Sequence, residues 1–178
     1  MLTRLSITTW DAILVGDGSG SMWGWPIGWG CVLIAKDSAT RKLFFGGCND
    51  GTVNVAELLA YLAPLSWYLA EQCAKSPHGR LTGMKQVHII TDSQYAQSKG
   101  ETKAAVTMTR NTVLWGAFAL YERQGLHLTW HWRPREDVQL NKLADALSKG
   151  ARGLIKNGGL PETIQQAMGL TAASCNPD

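Results

Sequence analysis

The chain has 178 residues, of which 45% are hydrophobic and 17% charged. That length suits one domain around a single core, and that hydrophobic share excludes disorder as the main state; no collagen, coiled-coil or solenoid period is present. The 17 Lys and Arg against 14 Asp and Glu give a formal charge of +3, which permits a polyanionic partner without requiring one.

In chain order, Ala12 to Val15 is a short apolar run stopping at the Gly-rich stretch Gly16 to Gly20, which predicts a buried strand and then a turn. Trp29 to Lys36 and Lys42 to Gly46 flank a polar turn and predict an antiparallel hairpin that extends the first strand into a meander. Asn54-Val55-Ala56-Glu57 has the pattern of a capping box, with Asn54 as N-cap. Leu58, Leu59, Leu62, Leu65 and Leu69 then recur at helical spacing, and Pro64 should kink or split that helix.

After a polar loop at Lys75 to Gly83, Val87 to Thr91 reads as a strand ending at Asp92, and a helix can start with Asp92 or Ser93 as its cap. Ala104 to Arg123 reads as mostly helical. Leu126 to Trp132 alternates strictly, as a half-buried strand does. Asn141 to Lys149 predicts a helix with Leu143, Ala144 and Leu147 inward, broken by Gly150 and Gly153. Pro161 to Met168 suits one more short helix. Strands in a run, then alternating with helices, imply an α/β fold: a mixed five-stranded sheet with an antiparallel meander, parallel strands and flanking helices.

Residues Met1 to Trp10 are not expected to form a secretion signal, because Thr3, Arg4, Ser6 and Thr8 interrupt the apolar residues. Ala56 to Ala70 contains Glu57 and Pro64 and is too short to cross a bilayer, so no membrane partner is expected. Cys31, Cys48, Cys73 and Cys175 form no CxxC pair and have no zinc-finger histidine spacing. Free thiols in a reducing cytoplasm are expected.

Four acids occupy informative places: Asp17 just past the first strand, Glu57 in the first helix, Asp92 at the end of the fourth strand, and Asp145 on the last core helix. Singly, each has an ordinary structural role as turn residue, capping acid, helix cap or solvated acid. Together, strand ends and helix starts can converge on one cluster. Such a cluster is electrostatically unstable without cations and suits Mg²⁺ or Mn²⁺. Two such ions about 4 Å apart can drive phosphodiester cleavage.

At these residues the sequence resembles the ribonuclease H family. The matching pieces are Asp17-Gly18-Ser19, Gly28-Trp29-Gly30, Ala56-Glu57-Leu58, Thr91-Asp92-Ser93-Gln94-Tyr95, the Trp130 and Trp132 strand, and Asn141-Lys142-Leu143-Ala144-Asp145, in family order. The resemblance implies a ribonuclease H-like fold over residues 1–152, with 153–178 as a tail, acting as a monomer. It implies hydrolysis of the RNA strand of RNA–DNA hybrids by two Mg²⁺ ions, with Mn²⁺ as a substitute, leaving a 3′-hydroxyl and a 5′-phosphate. Asp17, Glu57, Asp92 and Asp145 would be the metal ligands and catalytic acids. Gly18, Ser19, Asn54, Ser93, Gln94, Arg135 and Asn141 would contact the hybrid, amide side chains reading 2′-hydroxyls in the minor groove.

There are three departures. A second family Asn is Val53 here. The loop before the last acid, Arg133 to Val138, lacks the family's histidine, so that Arg135 or Glu136 takes a related role or the metals suffice. Ser98 to Trp115 is too short for the basic handle of some members, with only Lys99, Lys103 and Arg110. The loop and the missing handle keep two rivals open: a binding module that cuts poorly, and a DNA nuclease or resolvase of the same fold.

Overall fold

The computed structural model describes residues 9–21, 25–37, 41–102, 111–135 and 139–157. The elements are β1 (Ala12–Ser19), β2 (Ile27–Ala35), β3 (Arg41–Cys48), α1 (Val53–Ala74), β4 (Lys85–Thr91), α2 (Gln94–Thr102), α3 (Thr112–Arg123), β5 (Leu126–Trp132) and α4 (Gln139–Asn157). The sheet order is β3-β2-β1-β4-β5. The β1–β2 and β2–β3 pairs are antiparallel, and β1–β4 and β4–β5 are parallel. This is the mixed sheet the sequence predicts.

Alternation along the strands divides the core in two. Leu14, Leu33, Val87, Ile89 and Trp130 face α1, α2 and α3, against Leu58, Tyr61, Leu65, Ala96 and Phe118. Ile13, Val15, Val32 and Ile90 face the other way, against Leu140 of α4. α4 lies across β1, β2 and β3.

Several local expectations are corrected. β1 runs four residues beyond Val15, so Asp17 lies inside the strand opposite Gly30 rather than in a turn. Its antiparallel ladder with β2 outweighs the turn preference of Gly16 to Gly20. The N-cap of α1 is Thr52, in extended conformation, whose Oγ1 accepts from the Val55 amide at 3.4 Å. Asn54 is therefore the second helical residue and not the cap. Pro64 does not split α1, which is one helix of 22 residues with Ala56, Leu58, Tyr61, Leu65 and Tyr68 buried. That burial along its length exceeds the cost of about 3 kcal/mol for an interior proline. At this length α1 is apolar enough to cross a membrane by length and composition, but this same face packs on the sheet.

Ser93 is the cap of α2, its Oγ accepting from the Ala96 amide at 3.3 Å. The last helix does not stop at Gly150 or Gly153 but continues to Asn157. Gly150 and Ala151 are buried where α4 lies across the sheet. The helix expected at Pro161 to Met168, Cys175, and the segment 103–110 lie outside the described residues. Cys31, Cys48 and Cys73 are free thiols.

Candidate active site

The site forms where two strands part. The parallel ladder of β1 with β4 ends at Val15 opposite Ile90, whereas β1 continues to Ser19. Asp17 lies on this unpaired edge of β1, and Asp92 immediately follows β4, so the two acids flank the opening. Tyr61 of α1 secures it. Its hydroxyl lies 3.0 Å from the Gly16 carbonyl and 3.1 Å from the Ile90 carbonyl, one on each strand.

Glu57 arrives because α1 starts against the backbone of β1. A side chain at Gly18 would strike the Glu57 amide nitrogen and come within 2.7 Å of the Ala56 carbonyl carbon. Only glycine permits that approach, since a Cβ does not tolerate backbone atoms so close. α4 reaches the site by a similar approach to β2. A Cβ at Gly30 would fall 2.6 Å from the Ala144 carbonyl oxygen and 2.8 Å from the Ser148 amide. Asp145 and Ser148, one turn apart on α4, are thereby set beside Asp17.

The result is a carboxylate cluster. Asp17, Glu57 and Asp92 each offer an oxygen, all within 4.8 Å of one another. Asp17 is 2% exposed and Glu57 6%. Ser148 Oγ donates to Asp17 Oδ2 at 2.8 Å. Arg135 spans three acids: Nη2 donates to Asp17 Oδ1 at 2.8 Å, Nε to Asp92 Oδ2 at 2.8 Å, and Nη1 to Asp145 Oδ1 at 3.0 Å. Asp145 thus joins through Arg135 and is not one of the three mutually close acids. Its other oxygen accepts from Lys149 at 2.8 Å.

Burial raises the carboxyl pKa values because it penalises the charged form. Asp17 is pushed up to about 6 by burial, with the Ser148 hydroxyl and Arg135 pulling the other way and Asp92 and Asp145 adding to the rise. Glu57 is pushed up to about 9 by burial and then by the charges of Asp17 and Asp92.

The donor set fits a hard divalent cation on two grounds. All the donors are carboxylate oxygens, which Mg²⁺ and Mn²⁺ prefer. Glu57 Oε2 is also buried without a hydrogen-bond partner, a costly state that a coordinated cation would relieve.

The other residues singled out in the sequence are placed unevenly. Gly18 is buried under α1, and Ser19 and Asn54 are half-buried at the same end of the sheet. Ser93 has its hydroxyl committed to capping α2, while Gln94, the next residue, is exposed. Arg135 is inside the acid cluster. Asn141 is 3% exposed, and neither its Oδ1 nor its Nδ2 has a partner. Lys149 and Arg152 also lie on α4, Arg152 Nε donating to the Pro26 carbonyl at 3.0 Å.

Tyr61, Ser148 and Trp132 escape a sequence reading as site residues. Trp132 Nε1 donates to the Asp92 carbonyl at 3.0 Å and fixes the start of the loop. Ser148 had a signal, since it stands three residues after Asp145 on one helical face. Tyr61 had none, because an aromatic within a leucine-rich helix reads as core. Among the described residues, no histidine joins the metal-capable cluster.

No protein-family profile matches the sequence. A protein of Jannaschia sp. (strain CCS1) described as ribonuclease H is 28% identical over 164 residues, covering 83% of this chain and 95% of its own length. The fold is similar to the N-terminal RNase H domain of a Mycobacterium tuberculosis protein, at a TM-score of 0.66 and 19% identity, covering 84% of this chain and 99% of that one. It is also similar to LC11-RNase H1, solved in complex with an RNA/DNA hybrid, at a TM-score of 0.64 and 21% identity, covering 79% and 95%. The five-stranded sheet order and the acids in sequence order at the ends of β1, α1 and β4 give the chain a ribonuclease H-like fold, and the relative described as ribonuclease H is matched over nearly its full length.

Proposed function

We propose that the protein hydrolyses the RNA strand of RNA–DNA hybrids, with two divalent cations, Mg²⁺ or Mn²⁺, held by Asp17, Glu57, Asp92 and Asp145, leaving a 3′-hydroxyl and a 5′-phosphate. The observation that carries this reading is the convergence of Asp17, Glu57 and Asp92 from three separate elements to within 4.8 Å at one buried opening. Cations bound there would supply activation of the attacking water and neutralisation of charge on the leaving oxygen. The chain's own part is to hold those cations. Gly18 keeps α1 against β1 so that Glu57 stays in reach. Ser148 orients Asp17 through its 2.8 Å hydrogen bond. Asn54 and Gln94, at the helix starts flanking the opening, are the amides suited to hydroxyl and base edges of a minor groove.

The test uses labelled RNA–DNA hybrid, DNA duplex and RNA duplex, each with Mg²⁺, Mn²⁺ or EDTA. Cutting restricted to the hybrid RNA strand, lost in EDTA and lowered at least about 1,000-fold in Asp92→Asn, supports the proposal. Hybrid binding without cutting would instead identify a binding module, and DNA cutting a different nuclease of this fold.

Asn141 supplies a separate prediction. A buried amide without partners costs about 1–3 kcal/mol relative to an apolar group of similar size. Asn141→Leu should therefore raise thermal stability while weakening hybrid cleavage, if the amide acts in substrate contact. A stabilised variant with unaltered KM and kcat would remove Asn141 from the functional residues.

A further inference from the structure

The Arg135 guanidinium stands among acids that the proposed cations also need. Its three nitrogens go to three different residues, Nε to Asp92, Nη1 to Asp145 and Nη2 to Asp17. Two of these belong to the trio that can share one ion, and the third is the remaining acid of the proposed site. A planar fork with fixed donor directions is what allows one side chain to satisfy three carboxylates at once. The Arg135 side chain is 43% exposed, whereas the side chains of Asp17 and Asp92 are only 3% and 14% exposed. The cation is therefore the movable partner. Its side chain could turn to solvent without opening the core, while Asp17 is fixed on β1, Asp92 directly after β4 and Asp145 on α4.

We infer that Arg135 is a built-in counter-ion of the metal-free site, a latch that holds Asp17, Asp92 and Asp145 together and leaves when divalent cations bind. This rests on the metal-binding reading above. The physical basis is competition for the same carboxylates. Without a cation, three acids around one opening repel one another, and Arg135 neutralises them. A divalent ion delivers more charge to the same oxygens, but to do so it must displace the guanidinium. Arg135 thus keeps the acids near their working positions, and it lowers their apparent affinity for metal. Linkage makes these two effects reciprocal: whatever Arg135 adds to the metal-free site, metal binding must overcome. Arg133 is a control for simple charge, since its Nη1 donates to the neighbouring Trp132 carbonyl and not to any of the acids.

The test is an Mg²⁺ titration of the full-length protein followed by amide chemical shifts, with the Arg135 side-chain Nε–H resonance read in parallel and assigned from its loss in Arg135→Lys. Arg135→Ala should bind Mg²⁺ about ten-fold more tightly than the unmodified protein, as expected for removal of partly exposed charge-assisted hydrogen bonds. Arg135→Lys, which keeps the charge but loses the fork, should fall between, and remains informative should the alanine variant not fold. Arg133→Ala should stay within about two-fold. In the unmodified protein the Arg135 Nε–H signal should move to a solvent-exposed position as Mg²⁺ saturates, and metal-free Arg135→Ala should melt at a lower temperature. An unchanged or weaker affinity in Arg135→Ala, or an Nε–H signal unmoved at saturation, overturns the latch. Absence of Mg²⁺ binding in every variant, the unmodified protein included, overturns the metal-site reading itself and the latch with it.

Discussion

Gly30→Val should unfold the protein or lower its stability by at least about 4 kcal/mol, more than ordinary core overpacking. The reason lies in what meets the missing side chain. Gly30 pairs with Asp17 on β1 and faces α4 on its other side. A Cβ there would meet the Ala144 carbonyl oxygen at 2.6 Å and the Ser148 amide nitrogen at 2.8 Å, and would also strike the Leu147 Cβ. Two of these three are backbone atoms of a helix, which cannot turn aside as a flexible side chain can. Relief requires α4 to lift off β2, and α4 carries Asp145 and Ser148. Any variant that folds should therefore also lose the Ser148 contact to Asp17, and with it hybrid cleavage. Urea unfolding measures the first effect and the hybrid assay the second. Gly116→Ala is the counterpart. Gly116 is an exposed residue inside α3 with no atom within 4 Å of its absent Cβ, so alanine should add about 0.5–1 kcal/mol through helix propensity. Equal effects of the two substitutions would refute the close-approach account.

In EDTA, the melting temperature should fall as pH rises from 5 to 9, by an amount on the order of 10 °C. Glu57 titrates ordinarily at 4.5 but at about 9 in the folded protein, and Asp17 at 3.8 but at about 6. Within those windows the folded chain holds protons that the unfolded chain has released. Raising pH then favours unfolding, because the unfolded state binds fewer protons. The stability of these two groups is present below their ordinary values and is lost as pH climbs through the folded ones. Asp17, raised by about two units, accounts for about 3 kcal/mol over its whole window, of which roughly half is lost above pH 5. Glu57→Gln is neutral at every pH and nearly the same size. It should flatten the decline above pH 6 and melt higher than the unmodified protein at pH 9. Added Mg²⁺ should reverse the slope, since a cation binds the ionised acids and links its binding to deprotonation. A Glu57→Gln profile parallel to that of the unmodified protein would exclude Glu57 as the source.

Which parts of this were legible beforehand follows from the range over which each interaction acts. β5 could be read to the residue, since Leu126 to Trp132 alternates with one face buried. The start of α1 could not, because Asn54 and Thr52 are both good caps and only the extended backbone at Thr52 selects it. Pro64, Gly150 and Gly153 each carry a strong local signal to break a helix, and all three lie within helices pressed on the sheet. Local propensity costs a few kcal/mol at most, and burial along a long apolar face exceeds that.

By itself the sequence determined the strand and helix order and the mixed sheet, and it singled out Asp17, Glu57, Asp92 and Asp145 as candidate acids, because periodicity and a handful of acids at element ends are local properties of the chain. Only the tertiary structure decided that Asp17, Glu57 and Asp92 share one opening while Asp145 is reached through Arg135. It also decided that Tyr61 bridges the parting strands and Ser148 holds Asp17. Those contacts join residues 29 to 131 positions apart, and their existence depends on glycines whose absent side chains let two helix backbones touch the sheet. A one-dimensional pattern carries no record of that distance, because an absent Cβ has meaning only once its neighbour is in place.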